Sequence, residues 1–257
     1  MRSSLTDKFR KGIHQKVISK FQHSLHQLLF LFVRKISKRY IHGELVIGGK
    51  LPYEGATIYA INHTNVSDAP VVFHTLNKQA YILAGTKSQK LIDSIGFNLN
   101  GVIWVDRHLD KSKKKAKDKI YKILKSGGSV IWFPEGTWNL TENLLMLPMR
   151  YGIVKMAAKA NVPIIPISIH YNGDKIYSSV GEPLTVYKKE EAATAIILLR
   201  DTMATMKYYQ MEYCGVYNRL SKDKLDFQTL IKNSLDEYPT FNYEYEKTCI
   251  FRSFDYK

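Results

Sequence analysis

The sequence predicts an α/β fold: a mostly parallel central sheet flanked by helices, with a basic amphipathic helical segment at the N-terminus. Three observations carry that prediction. From Gly43 onward, short apolar runs alternate with helical stretches, the order that builds parallel sheets. Turn residues separate the runs, such as Gly127-Gly128 before one and Asn161-Val162-Pro163 before the next. Ahead of Gly43 the pattern differs, with apolar residues recurring at intervals of three and four.

Taken in order, residues 5–40 read as one long amphipathic helix or two shorter ones. Ile13, Val17, Phe21, Leu25, Leu28, Phe32 and Ile36 make one stripe, flanked by lysines and arginines from Lys8 to Arg39. Such a helix lies in the headgroup region of an anionic membrane or packs its stripe on the following domain. The longest continuous apolar run, Leu28–Val33, is far short of the roughly 20 residues that span a bilayer. No signal peptide is expected, because no apolar core precedes a small-residue cleavage site. Strands are expected at Glu44–Ile47, Thr57–Ile61, Tyr81–Ala84, Val102–Val105, Ser129–Phe133, Ile164–Ile169 and Leu184–Tyr187. Helices are expected at Ala69–Leu76, Ser88–Ile95, Lys111–Lys125, Tyr151–Ala160 and Glu190–Tyr213. This divides the chain into an N-terminal segment (1–42), a catalytic-sized domain (43–215) and a C-terminal extension (216–257) rich in tyrosine and phenylalanine.

The chain has 257 residues, 45% of them hydrophobic, enough for one α/β domain with a sizeable core. Its formal charge of +15 favours anionic partners: a membrane surface, phosphorylated small molecules or an acidic carrier protein. Nucleic acid is not expected, since the lysines are not interleaved with aromatic rings and no recognition module is visible. Lys111–Lys125 holds eight lysines with Ala116, Ile120 and Ile123 on one side. It reads as a solvated helix face, or as a patch for CoA phosphates, an acidic acyl carrier or lipid headgroups. The two cysteines, Cys214 and Cys249, have neither redox nor metal spacing, which suits a reducing compartment.

The chemistry-bearing stretch is Asn62-His63-Thr64-Asn65-Val66-Ser67-Asp68, directly after the apolar run ending at Ile61. It places a histidine and an aspartate where a strand turns into a helix, the edge at which α/β sheets bind ligands. A histidine oriented by a carboxylate takes a proton from a hydroxyl near neutral pH. Three later segments also follow or bend likely strands: Gly101–Arg107, ending in Asp106-Arg107, then Phe133-Pro134-Glu135-Gly136-Thr137, then Val162–Ile167. There is no G-x-S-x-G elbow, no H-E-x-x-H and no Cys/His cluster, and Gly48-Gly49-Lys50 is followed by Leu51 rather than a hydroxyl residue.

In order and rough spacing these segments resemble the four motifs of the glycerolipid acyltransferase family, which includes 1-acylglycerol-3-phosphate and glycerol-3-phosphate acyltransferases. The resemblance covers roughly residues 45–185. Lys87 resembles the family's basic position before the second motif, and Gly181-Glu182-Pro183-Leu184 its turn after the fourth. The resemblance implies that His63 is the general base and that Asp68 holds its tautomer. It implies that Arg107 binds an acceptor phosphate, Lys87 adds positive charge, and Glu135, Gly136 and Thr137 shape the acceptor site. The donor would be acyl-CoA or acyl carrier protein, with no further cofactor and no metal. The protein would sit at the cytoplasmic face of a membrane, peripheral or monotopic.

One departure stands out. The family's third motif continues with arginine and a small polar residue, whereas here it continues with Trp138-Asn139. Tryptophan neutralises no charge, so a lysophospholipid or saccharide hydroxyl joins lysophosphatidate as an acceptor. A catalytically silent lipid-binding module is the alternative from a different class.

Overall fold

In a computed structural model of the protein, residues 25–49, 53–64, 67–85, 101–106, 109–139, 145–188 and 191–215 are described. Seven strands form one sheet: β1 (Glu44–Gly48), β2 (Ile58–Ile61), β3 (Tyr81–Gly85), β4 (Val102–Val105), β5 (Val130–Trp132), β6 (Ile164–Asn172) and β7 (Lys175–Val180). Their spatial order is β1-β7-β6-β2-β5-β3-β4. The five strands from β6 to β4 run parallel, and β7 pairs antiparallel to β6 with β1 parallel to β7 at the edge. The mostly parallel α/β architecture expected from the sequence is therefore present.

Helices cover both faces because the central strands are apolar on both. Along β2, Ile58 and Ala60 belong to one buried cluster while Tyr59 and Ile61 belong to the other. That is the period-two alternation of a strand buried between two layers. The first cluster packs on Ala116, Ile120, Ile123 and Leu124 of one helix (Asp110–Lys125), on a second (Gly152–Ala160) and on Ile196, Leu199 and Met203 of a third (Ala192–Cys214). The second cluster packs on Val71, Val72, Phe73 and Leu76 of the helix Asp68–Leu76 and on Phe30 of a helix at residues 25–37. In chain order these helices are α1 (25–37), α2 (Asp68–Leu76), α3 (Asp110–Lys125), α4 (Gly152–Ala160) and α5 (Ala192–Cys214). The helices α2 and α4 each stop at an asparagine in the left-handed conformation, Asn77 and Asn161, which ends the helical hydrogen-bond run.

Two expectations are corrected. Leu184–Tyr187 forms no strand and contributes only an isolated bridge from Leu184 to Ile164. The seventh strand is instead β7, whose alternating Ile176, Ser178 and Val180 lack a continuous apolar run. It forms because Gly173-Asp174 closes a two-residue hairpin between the paired Asn172 and Lys175, with Gly173 at φ 57°.

The α1 helix does pack on the domain, but not through the expected stripe. Phe30 is buried edge-on to Phe73, ring centroids 5.9 Å apart, and the His74 ring nitrogen meets the Arg34 carbonyl at 2.9 Å. Leu28 and Phe32, in contrast, remain 68% and 63% exposed, and Leu25 and Ile36 are exposed beside them. Helical spacing explains the split, since Phe30, Val33 and Ser37 lie on one side and Leu25, Leu28, Phe32 and Ile36 on another. The part of the stripe before Leu25, the expected helix Ser88–Ile95 and the extension 216–257 lie outside the described residues.

Candidate active site

The site begins where β2, the middle strand, leaves the sheet. Asn62 is buried, and its side-chain amide donates to the Ile169 carbonyl (3.0 Å) while accepting from the Ile169 N–H (2.7 Å). A side chain with one donor and one acceptor thus continues the β2–β6 ladder past the end of β2 and fixes the start of the turn.

His63 follows. Its Nδ1 lies 2.9 Å from Asp68 Oδ2, and Asp68 at the first turn of α2 is fully buried. Asp68 Oδ2 also accepts the Thr64 N–H at 2.6 Å, and Oδ1 accepts the Tyr171 hydroxyl at 2.6 Å. These donors offset the cost of burying the charge. Burial and the Asp68 charge push the Tyr171 hydroxyl well above its usual range, so it remains a donor. The imidazole stacks on Phe133, centroids 4.1 Å apart, and meets Trp138 edge-on at 5.7 Å. The Trp138 indole Nε1–H donates to His63 Nε2 at 2.7 Å. An indole nitrogen only donates. Nε2 therefore carries the lone pair and Nδ1 the proton, the tautomer that a base oriented by Asp68 needs.

The neighbouring strand β5 delivers the second loop. Glu135, 2% exposed, accepts the His63 N–H at Oε1 (3.0 Å) and the Leu147 N–H at Oε2 (2.7 Å). Its carboxylate thus acts on the site through the backbone it holds. Burial pushes its pKa up to about 7 against those two hydrogen bonds, which favour the charged form. Gly136 has φ 75°, a conformation that strains any residue with a Cβ, and a Cβ there would stand 2.8 Å from Arg150 Nε and push that side chain away. The Thr137 hydroxyl is buried with no hydrogen-bond partner among the described residues, as is that of Thr64. Asn139 N–H returns to the His63 carbonyl at 2.6 Å, tying the two loops together.

Sequence reasoning missed three residues. Tyr171 stands at the end of β6, beyond the expected strand, and no spacing marks it. Lys207 reaches from α5 to donate to the Ile169 carbonyl at 2.7 Å. Burial pushes its pKa down to about 8, while the charges of Asp68 and Glu135 pull it upward. Arg150 lies next to Gly136 through a chain reversal in which its N–H donates to the Pro134 carbonyl at 2.9 Å. An isolated lysine in an apolar helix was the one available signal, for Lys207. Lys87 and Arg107 lie outside the described residues. The structure thus brings together His63, Asp68, Glu135, Gly136, Thr137 and Trp138 at the carboxyl ends of β2 and β5.

Comparison with known proteins agrees with this geometry. The family model described as Acyltransferase matches residues 44–170. A 1-acyl-sn-glycerol-3-phosphate acyltransferase of Chlamydomonas reinhardtii is 30% identical over 120 residues, 46% of this chain and 35% of the relative. The 1-acyl-sn-glycerol-3-phosphate acyltransferase of Escherichia coli is 32% identical over 128 residues, 48% of this chain and 50% of the relative. The chain thus spans half or less of the length of these two curated relatives. The crystal structure of the 1-acyl-sn-glycerophosphate acyltransferase PlsC from Thermotoga maritima superposes with a TM-score of 0.60 at 17% identity, over 74% of this chain and 81% of that one. The family match runs from β1 through most of β6 and takes in the His63–Asp68 and Glu135 loops, so residues 44–170 form an acyltransferase domain, and the relatives that it matches support the glycerolipid acyltransferase family.

Proposed function

We propose that the protein is an O-acyltransferase that moves a fatty acyl group from an acyl thioester to the hydroxyl of a lysophosphatidate-like glycerolipid. The observation that carries the reading is the His63–Asp68 pair, 2.9 Å apart, at the end of the central strand. His63 Nε2 accepts the hydroxyl proton as the oxygen attacks the thioester carbonyl. Asp68 offsets the charge that grows on the imidazole. Collapse of the tetrahedral intermediate expels the thiolate, which takes the proton from the imidazolium. Every atom is then accounted for, without a covalent acyl-enzyme.

Two features support an anionic acceptor. Arg150 sets a guanidinium against the Glu135-Gly136 turn, and the chain carries Lys87 and Arg107 on the segments that follow β3 and β4. The unpartnered Thr64 and Thr137 hydroxyls are suited to a substrate oxygen. For the donor, the α3 lysines Lys111, Lys114, Lys115 and Lys122 are exposed and fit CoA phosphates or an acidic carrier protein. Trp138 in place of arginine favours a second reading, in which the acceptor is a lysophospholipid or a saccharide hydroxyl. Labelled acyl-CoA and acyl carrier protein, offered with glycerol 3-phosphate, lysophosphatidate, lysophospholipids and a sugar-headgroup lipid, distinguish these. Transfer to lysophosphatidate is expected. Folded protein that transfers to none of them would point to the silent lipid-binding module.

Membrane association rests on the exposed Leu25, Leu28, Phe32 and Ile36 beside Lys35, Lys38 and Arg39. Among the described residues no helix is long and apolar enough to cross a membrane. A surface helix instead rests its apolar side among headgroups, its cations on anionic lipid. Leu28→Glu with Phe32→Glu leaves the docked Phe30 in place. The double variant should bind anionic vesicles at least tenfold more weakly in a flotation assay. Equal binding by the folded variant would remove α1 from the membrane contact.

A further inference from the structure

We propose that Trp138 is a gate on the base: its indole occupies the position of the acceptor hydroxyl and shuts off His63 until an acceptor displaces it. The inference rests on the reading of His63 as the base. Three observations carry it. The Nε1–H donates to Nε2, the one ring atom left to take a proton once Nδ1 is engaged by Asp68. The indole stands edge-on to the imidazole at 80°, the orientation that aims its N–H at the lone pair. Trp138 is itself only 8% exposed, and Phe133 stacks on the His63 ring, so the closed contact is shielded from solvent.

An attacking oxygen must come within hydrogen-bond reach of the base. Nε2 already has a donor at 2.7 Å, so water and indole compete for one lone pair. In the open state a water oxygen would bond to the acyl carbon and pass its proton to Nε2. The thiolate would leave and recover that proton, and the donor would be wasted by hydrolysis. In the closed state that reaction is suppressed. A bound acceptor, held by contacts elsewhere on its headgroup, contributes the binding energy that swings the indole aside. Trp138 is thus a positioning residue that couples acceptor binding to exposure of the base.

The test is Trp138→Phe, which keeps an aromatic ring and removes the N–H. Diethyl pyrocarbonate acylates the free lone pair of a neutral imidazole, and peptide mass spectrometry reads His63 separately from the other histidines. Carbethoxylation of His63 should be roughly five- to tenfold faster in the variant, the size of one neutral hydrogen bond. Acceptor-free hydrolysis of acyl-CoA should rise by a similar factor. Equal His63 modification in wild type and folded variant would overturn the gate. Should the variant not fold, wild-type protein answers the same question. The Trp138 indole N–H should exchange slowly with solvent alone and faster with lysophosphatidate, and an exchange rate indifferent to lysophosphatidate would also overturn it. Neither modification nor exchange requires turnover. A failure of the gate is therefore distinct from a failure of the base, which His63→Ala reads through acyl transfer.

Discussion

Alanine at position 63 should lower acyl transfer by about 10²–10⁴-fold with the fold retained, the usual contribution of a positioned general base. The fold should survive because the residue's structural duties lie in its backbone: its N–H donates to Glu135 and its carbonyl accepts from Asn139. Asp68→Asn separates charge from geometry. The new amide oxygen can accept from the His63 Nδ1–H and the Thr64 N–H in place of Oδ2, and its NH₂ can donate to a Tyr171 hydroxyl turned to accept. The hydrogen-bond pattern is kept while the negative charge facing the imidazolium is lost. Transfer should fall by roughly 10–10³-fold, with thermal stability changed little. Adding Tyr171→Phe removes the group that lets the amide settle, so the double variant should fall below either single one. Transfer unchanged in Asp68→Asn would show that no charge develops on His63.

Removing the Glu135 carboxylate should produce the largest loss of stability. Glu135→Ala strands two N–H groups, those of His63 and Leu147, at about 1–3 kcal/mol each when buried. The sum, about 2–6 kcal/mol, lowers the melting temperature by roughly 4–24 °C for a chain of this size. The same residue sets a pH dependence. Burial raises its pKa to about 7 in the folded protein against 4.5 for an ordinary glutamate, so the folded state holds the proton more tightly. Stability is then fullest below pH 4.5 and declines as pH rises through 7, by on the order of 3 kcal/mol. Lys207, a buried cation drawn to the same carboxylate, moderates the decline. Glu135→Gln should flatten the profile between those limits. A wild-type stability curve that rises from pH 5 to 7 in parallel with that of the glutamine variant would contradict the assignment.

The His63–Asp68 contact and the Phe133–Thr137 loop were legible because their residues are close in sequence and follow apolar runs. Asn62 through Asp68 need only one strand and one turn to meet. Tyr171 and Lys207 were not legible: Tyr171 lies 103 residues from Asp68, and Lys207 38 residues from the Ile169 carbonyl that it reaches. Only the sheet order and the packing of α5 bring them in. The strand β7 was hidden by Ser178 and Ser179, whose hydroxyls are satisfied by Thr75 and Gln210 rather than by apolar packing. The face by which α1 docks was hidden because Leu25, Leu28, Phe32 and Ile36, the described residues of the longer apolar stripe, are the ones left in contact with solvent.

The strand order separates two kinds of evolutionary freedom. The groups of the proposed proton transfer hang from β2, β5 and β6, three adjacent strands in the middle of the sheet, cross-tied by Asn62, Glu135 and Tyr171. Lys87 and Arg107, the cations expected to select the acceptor, follow β3 and β4 at one margin. A change near the margin can alter which headgroup is accepted while the reaction centre stays intact. A change in the middle strands disturbs chemistry and stability together. Tryptophan at position 138 lies on the border between these regions, so a substitution there is one of the few single steps able to retune both substrate choice and leakage to water.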